Sequence, residues 1–413
     1  MHDQLFATAL GISAPWSVKS VEFQAVERRL IIAIDFAPGT RFSVPGVDGA
    51  HPVHDTVVKE YRHLNFFQHQ CLLRVRTPRV KLPDGGVRLI EPEFAGRLAG
   101  FTLLYEALIL MLAQQMPFAA VARLVGESPY RVQRLCDEYV ELALQQADFS
   151  KVKSLAIDET SRARGHQYVT LAADADQRRV VFVTEGRAAD TIHALAADLR
   201  AHQGTPEAIE SVSIDMSPAF IKGVTAALPN ARITFDKFHV IAHANKAVDQ
   251  TRRAEQRTDP SLKGLRWTLL KDAFKLTPSA GSALYQLIHA PKLTVTARAW
   301  IYKERLRQIL SRKQFNVVTE SLRHWTTCVM RSKVEPMKDV AKMIRSHFDG
   351  IVAWAQTRQS NGFLEAINGL FQAAKRRARG FKRFSTIRTV IFMIAGKLNF
   401  TAINQHVALP TRI

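Results

Sequence analysis

Apolar and polar positions change their spacing several times along this chain, and each change marks a new kind of element. After a short helix-like opening, Ser20 to Asp35 reads as two strand-like runs around a charged turn. A stretch rich in Gly, Pro and His follows, from Thr40 to about Glu93. From Phe101 to Phe149 the apolar spacing becomes helical. Pro117–Gly126 predicts a short helix stopped by a glycine, and Ser128-Pro129 supplies an N-cap and a first-turn proline for the next helix. This is helix-turn-helix grammar. Ala122 is small where two helices cross, Gly126 suits a left-handed turn, and Val132 and Leu135 lie three apart to pack inward.

After Lys151 short strand-like runs return: Ser154–Asp158, Gln167–Ala173 and Arg179–Thr184, joined by polar turns as in an antiparallel meander. Ala188–His202 predicts a helix with Ile192, Leu195 and Leu199 on one stripe. A strand ending in Asp215, a helix to Leu228 and a strand from Ala231 to Asp236 complete the series. Three meander strands, a helix, a strand, a helix and a last strand give the order of a ribonuclease-H-like core. From His239 to about Asp349 the chain reads as separate basic helices broken at prolines, an insertion within that core. Gln359-Ser-Asn-Gly362 then predicts a cap for a helix bearing Glu365, which runs into a basic stretch. A final apolar helix, Ile387–Leu398, is expected to pack against the core.

Charge sharpens the picture. Among 413 residues, 57 Lys and Arg against 37 Asp and Glu leave a net charge of +20, the footprint of a protein that holds a polyanion, with nucleic acid as leading partner. No apolar run is long enough to span a bilayer and no signal peptide opens the sequence, so a cytoplasmic location and no membrane partner are expected. Cys71, Cys136 and Cys328 are too scattered for a disulfide framework or a metal clip, and each reads as a small buried hydrophobe. His51, His54, His63 and His69 lack paired ligand spacing and read as surface or core side chains.

The candidate chemistry lies in three acids. Asp158 and Asp215 end apolar strand-like runs, and Glu365 sits on a late helix. Oxygen ligands of this kind suit Mg²⁺ or Mn²⁺, two ions of which serve phosphoryl transfer with substrate phosphate and water completing their shells. Tyr130, Arg131, Gln133 and Arg134 are expected to face a DNA groove from the second helix of the helix-turn-helix. Lys375, Arg376, Arg377, Arg379, Lys382 and Arg383 supply six cations in nine residues for phosphate contacts. Asp174 and Asp176 lie in a hairpin turn, and alternation along a strand aims Glu159 away from Asp158, so all three are left out of the site.

The ordered motifs Leu155-Ala-Ile-Asp158-Glu, Ser213-Ile-Asp215-Met-Ser-Pro-Ala-Phe220, Phe235-Asp-Lys-Phe-His-Val240 and Ser360-Asn-Gly-Phe-Leu-Glu365-Ala-Ile-Asn368 resemble those of the DDE transposases of bacterial insertion sequences, of the ISL-three type. The resemblance covers nearly the whole chain. It implies that Asp158, Asp215 and Glu365 form the metal-binding catalytic triad, that terminal inverted repeats are the DNA substrate, and that a homodimer or higher oligomer is the working form. It further implies that metal-dependent strand cleavage and strand transfer are the chemistry, in a bacterial protein bound to the nucleoid when on DNA.

Asp236, His239 and Asn368 also match the motifs and are candidates for groups beside the metals. For Asp236 the alternative is a plain helix cap, and for His239 a DNA contact. Where family members carry zinc-binding cysteine pairs, this chain has Val44 and Val47, then Leu82 and Gly85, so no structural zinc is expected. The expected fold class is multidomain α+β. Its parts are a β-rich, degenerate zinc-ribbon-like domain (1–93), a helix-turn-helix domain (94–150) and a ribonuclease-H-like core (151–240). A helical insertion (241–350) and a completing segment with the Glu helix and basic tail (351–413) follow. Two competing readings are a non-catalytic DNA-binding regulator, or inactive transposase derivative, and a nuclease that cuts without joining.

Overall fold

In the computed structural model, which describes residues 2–98, 100–163, 165, 167–357 and 361–407, the chain divides into two compact units. One takes residues 1–146 and 373–413, the other 147–372.

The first unit begins with α1 (His2–Ala9), β1 (Trp16–Gln24), β2 (Arg29–Phe36), β3 (Arg41–Val44), β4 (Val47–Arg62), β5 (Gln70–Lys81) and β6 (Val87–Leu89). These strands form one sheet in the order β1-β2-β5-β4-β3, with β6 also paired to β5. Alternating burial along β5 buries Cys71, Leu73 and Val75 on one face, against Leu30, Ile32 and Ile34 of β2. Val44 and Leu82 lie in a separate buried cluster with Phe36, Phe42 and Val80, against which Val47 packs. Three of the four residues at zinc-ligand positions therefore join one apolar contact set.

The helices that follow are α2 (Leu103–Ala113), α3 (Phe118–Val125) and α4 (Pro129–Gln145). Thr102 Oγ1 accepts from Tyr105 N to cap α2, and Ser128 Oγ accepts from Arg131 N to cap α4. Gly126, at φ 74, closes α3 in the left-handed region that a side chain disfavours.

The second unit contains β7 (Ser154–Ala163), β8 (Gln167–Asp174), β9 (Arg179–Glu185), α5 (Asp190–Ala201), β10 (Ser211–Ile214), α6 (Pro218–Ala227) and β11 (Arg232–Phe235). The sheet order is β11-β10-β7-β8-β9, with β7, β8 and β9 antiparallel and β10 and β11 running parallel to β7. Helices α7 (Lys237–Glu255), α8 (Arg266–Leu270), α9 (Pro278–Ile288), α10 (Val295–Ser311), α11 (Phe315–Met330), α12 (Glu335–Ser346), α13 (Phe348–Thr357) and α14 (Gly362–Arg377) follow, and α15 (Phe384–Ala395) returns to the first unit.

Several expectations change. Asp158 does not end its strand: β7 continues to Ala163 because β8 pairs with it along that length, Asp158 opposite Leu171. The helices read as an insertion pack against the sheet. Val240, Ala244, Trp300, Leu322 and Ile344 share one buried cluster with Leu155, Val212 and Ile214 of the sheet. The completing segment also splits, since the second unit ends at Gln372. Helix α15 packs on α4 of the first unit, where Thr386 meets Gln133, Thr389 Oγ1 donates to Asp137 and Arg388 pairs with Glu141. Cys71 and Cys136 are buried but Cys328 is partly exposed, its Sγ 3.3 Å from His324 Nε2. Gln359 and Ser360, read as part of the cap before Glu365, lie outside the described residues.

Candidate active site

The site grows from the register of two parallel strands. Ser211, Val212 and Ser213 of β10 pair with Ser154, Leu155 and Ala156 of β7. Continuing that register two residues brings Asp215 level with Asp158, Asp215 being the first residue past the end of β10. The chain must turn there, and Asp215 Oδ1 accepts a hydrogen bond from Ser217 N at 2.9 Å just before Pro218 opens α6. The acid thus lies at the carboxyl edge of a parallel pair, where open α/β sheets bind their ligands.

Asp236 is the corresponding residue after β11, and it is fully buried. One of its oxygens caps α7 by accepting from Phe238 N at 3.0 Å, and the other accepts from Asn361 N at 2.9 Å. Asn361, also fully buried, donates from Nδ2 to Ile157 O at 3.1 Å, the carbonyl just before Asp158. The start of α14 is thereby tied to β7 and β11 at once. Gly350 fixes the approach of α13 to the same strand, since a Cβ there would stand 2.5 Å from the Phe235 ring.

Helix α14 brings Asn368 to the site, where Nδ2 donates to Asp158 Oδ2 at 2.9 Å, while Gln372 Nε2 reaches Thr160 Oγ1 at 3.1 Å. Glu365 stands exposed in the first turn of α14. Its carboxyl is raised above its ordinary value by partial desolvation and then by the Asp236 charge, with His239 opposing. Burial likewise pushes Asp158 up to about 6; Asp215 and Glu159 add to the rise, and the Glu159 N–H and His239 work against it. Alternation along β7 had excluded Glu159. Its carboxyl is nevertheless raised by burial and by Asp215, and lowered by Arg187 3.5 Å away and by His239. His243, one turn beyond His239, is lowered by burial and by Lys246 and His239, while Asp215 raises it.

No ion pair joins a lysine or arginine to Asp158, Asp215 or Glu365 among the described residues, while Glu159 has Arg187 at 3.5 Å. No three of the described His, Cys, Asp and Glu side chains converge into a ready-made metal cage. The surroundings nonetheless suit a hydrated cation. Among the described residues, Asn361 Oδ1, Asn368 Oδ1 and His239 Nε2 are buried without a hydrogen-bond partner, and the Asp215 charge adds to the cost of ionising Asp158. Oxygen donors of this set match a hard divalent ion.

Asn361 escaped the sequence reasoning as a functional residue. Its only signal is an amide in front of a helix start, and its partners lie 125 and 204 residues away.

The expected DNA-facing side chains divide. Tyr130 is 67% exposed and Arg134 is also exposed, whereas Arg131 pairs with Glu127 at 2.9 Å and lies over the Phe101 ring, and Gln133 Nε2 donates to Thr386 Oγ1 at 2.8 Å. In the basic run, Lys375, Arg376 and Arg377 form the last turn of α14. Arg376, Arg377, Arg379, Lys382 and Arg383 are exposed and Lys375 is partly covered.

Residues 155–391 match the family model described as transposase, of the ISL3 DDE type, and residues 90–140 match the helix-turn-helix domain of transposase family ISL3. The first match spans more than half of the chain, which belongs to the ISL3 family of insertion-sequence transposases. The chain is 26% identical to the transposase for insertion sequence element IS1001 of Bordetella parapertussis over 395 residues, 92% of this chain and 96% of that one. It is also 26% identical to the transposase for insertion sequence element IS1557 of Mycobacterium tuberculosis, over 79% of each chain. Among the described residues, no helix is long and apolar enough to cross a membrane.

Proposed function

We propose that this chain is an active DDE transposase that binds the terminal inverted repeats of an insertion sequence, cuts a strand at each end and joins the freed 3′-hydroxyl to target DNA. The observation that carries this reading is the register that brings Asp215 level with Asp158, together with the Asn368 hydrogen bond that ties the Glu365 helix to Asp158. The strand order and directions of the second sheet support a ribonuclease-H-like core.

Asp158, Asp215 and Glu365 are the residues that would hold Mg²⁺ or Mn²⁺, whose charge lowers the cost of forming an oxyanion nucleophile and stabilises the leaving oxygen. Around them, Asn368 orients the Asp158 carboxylate, and Asp236 with Asn361 sets where α14 begins. Hydrolysis breaks one phosphodiester bond and leaves a 3′-hydroxyl and a 5′-phosphate. In the second step that hydroxyl loses its proton and attacks a target phosphodiester, whose own 3′-oxygen leaves. One bond forms as one breaks, so no outside energy source is needed.

Tyr130 and Arg134 are the groups on α4 best exposed to read a groove, with Arg131 and Gln133 holding the helix in place. Lys375, Arg376, Arg377, Arg379, Lys382 and Arg383 provide phosphate contacts that carry no sequence information. A homodimer or larger assembly on DNA follows from the need to act on two ends.

The test uses Asp158→Ala and duplexes with matched terminal repeats in Mg²⁺. End binding is expected to persist while nicking and joining disappear. Full cleavage by the variant would sink the site assignment, and cutting without joining by the unaltered protein would make it a nuclease instead.

A further inference from the structure

Beside the helix-turn-helix, in the same compact unit, the connection between β4 and β5 presents an aromatic side chain that the fold does not need there. Phe66 N donates to His69 O and His69 N to Phe66 O, both at 3.0 Å, closing a tight hairpin with Phe67 and Gln68 at its tip. Phe67 has φ 49, in the left-handed region that a bulky side chain enters only under strain, and it is 81% exposed. A glycine or asparagine would make this turn at lower cost and with less apolar surface in water. Strain and exposure at one position point to a role outside the fold.

The tip is held rigidly to the DNA-binding helices. The Arg62 guanidinium is buried, and it donates to His63 O at 2.5 Å, Cys71 O at 3.2 Å, Asn65 Oδ1 at 2.5 Å and Val125 O at 3.4 Å. Val125 is the last residue of α3, and Tyr105 Oη donates to the same carbonyl at 2.7 Å. One buried cation thus fixes the hairpin against the turn of the helix-turn-helix. Phe66 and Phe23 support the tip from behind, with ring centroids 4.9 Å (Phe66 to Phe67) and 5.9 Å (Phe23 to Phe66) apart. Exposed Arg28 and Arg29 lie alongside: Gln70 N donates to Arg28 O, and Arg29 pairs with Gln70 across the strands.

We propose that Phe67 is a wedge that enters the minor groove of the duplex gripped by the helix-turn-helix, prising open a base step while Arg28 and Arg29 meet the flanking phosphates. The proposal rests on the DNA-binding reading above and adds a contact site to it. An apolar protein partner would bury those two arginines without compensation, whereas a polyanion satisfies them. Aromatic rings stack on any base, so the wedge would add affinity and distortion with little demand on sequence.

The experiment titrates the full chain, without divalent metal, onto a matched terminal-repeat duplex carrying 2-aminopurine at successive positions. The unaltered protein is expected to brighten the probe at one step beside the helix-turn-helix footprint. Phe67→Ala should lose that signal and bind about tenfold more weakly with an unchanged salt slope, while Phe67→Trp keeps both. Phe67→Gly should bind as weakly as Phe67→Ala yet unfold at a higher temperature, because the turn strain is relieved.

If Phe67→Ala binds and brightens like the unaltered protein, the wedge is wrong and the helix-turn-helix reading stands. If the unaltered protein does not prefer matched ends to scrambled DNA, both fall. A change in oligomeric state of Phe67→Ala without DNA, with the probe signal intact, would make the patch a protein interface and end the proposal.

Discussion

On the first sheet, Asp35 of β2 accepts from Arg76 Nε at 2.6 Å and meets Lys19 at 3.4 Å; Asp55 pairs with Arg79, Glu60 with Arg74 and Glu91 with Lys59. On the second, Asp158 and Asp215 stand level on parallel strands with each other for company. The titrations follow. Burial pushes Asp35 up but hydrogen bonds from Arg76 and Phe36 N outweigh it, leaving its carboxyl below the ordinary value, and Asp55 is lowered by its Arg79 hydrogen bond. Asp158, Glu159 and Glu365 are all raised. Glu159 still has Arg187 beside it. Asp158 and Glu365 have no such partner among the described residues of a chain with net charge +20, the pattern expected if they hold a cation as proposed.

The sharpest way to break this contrast is to remove one acid from each sheet. Asp215→Ala should cut the rate of end cleavage in Mg²⁺ by about a thousandfold or more, while Asp35→Ala leaves the rate per folded molecule unchanged. Equal losses in single-turnover assays would erase the distinction.

Stability should respond with opposite signs. The folded chain holds the Asp158 proton until about pH 6, against an ordinary value of 3.8. The favourable contribution of that proton is present at acid pH and is lost as the pH climbs through about 6. Asp158→Asn should therefore stabilise the protein by about 2 kcal/mol at pH 7.5, a gain that shrinks toward zero near pH 4. Asp35 is the reverse case: its ionised form is favoured by folding, so its contribution exists above about pH 4 and fades as the pH falls through its lowered folded value. Asp35→Asn should cost about 1 kcal/mol at pH 7. Denaturant melts across this range would expose a wrong sign in either case.

The smallest expected effect concerns exposed cations of the basic run. Arg376→Ala and Arg377→Ala should each weaken binding to all duplexes severalfold and flatten the salt slope by about one unit, with no change in sequence preference. A change in preference would move these residues from phosphate contact to base reading.

Local chemistry made much of this readable from sequence. Four of the five strands of the second sheet lie within a residue or two of where apolar spacing put them, and Gly126 and Ser128-Pro129 stop α3 and start α4 as expected. What escaped depends on partners far along the chain. β4 runs 16 residues and β5 12, each through a proline, Pro52 and Pro78, and the Gly, Pro and His content of that stretch masked both. The continuation of β7 past Asp158 is set by β8, and the docking of α15 by polar side chains on α4. The order of the candidate acids was visible as motifs, but the long-range hydrogen bonds of the amide before the Glu365 helix were not.

Asn361 has a further consequence for how such a chain comes into being. Its hydrogen bond to Ile157 joins residues 204 apart, so it forms only when nearly the whole second unit has been synthesised. A ribosome that stalls earlier, or a protease that clips the chain before this point, yields a fragment with two acids and no clasp. If Asp158, Asp215 and Glu365 act together as proposed, such a fragment lacks both Glu365 and the amide that fixes the start of its helix.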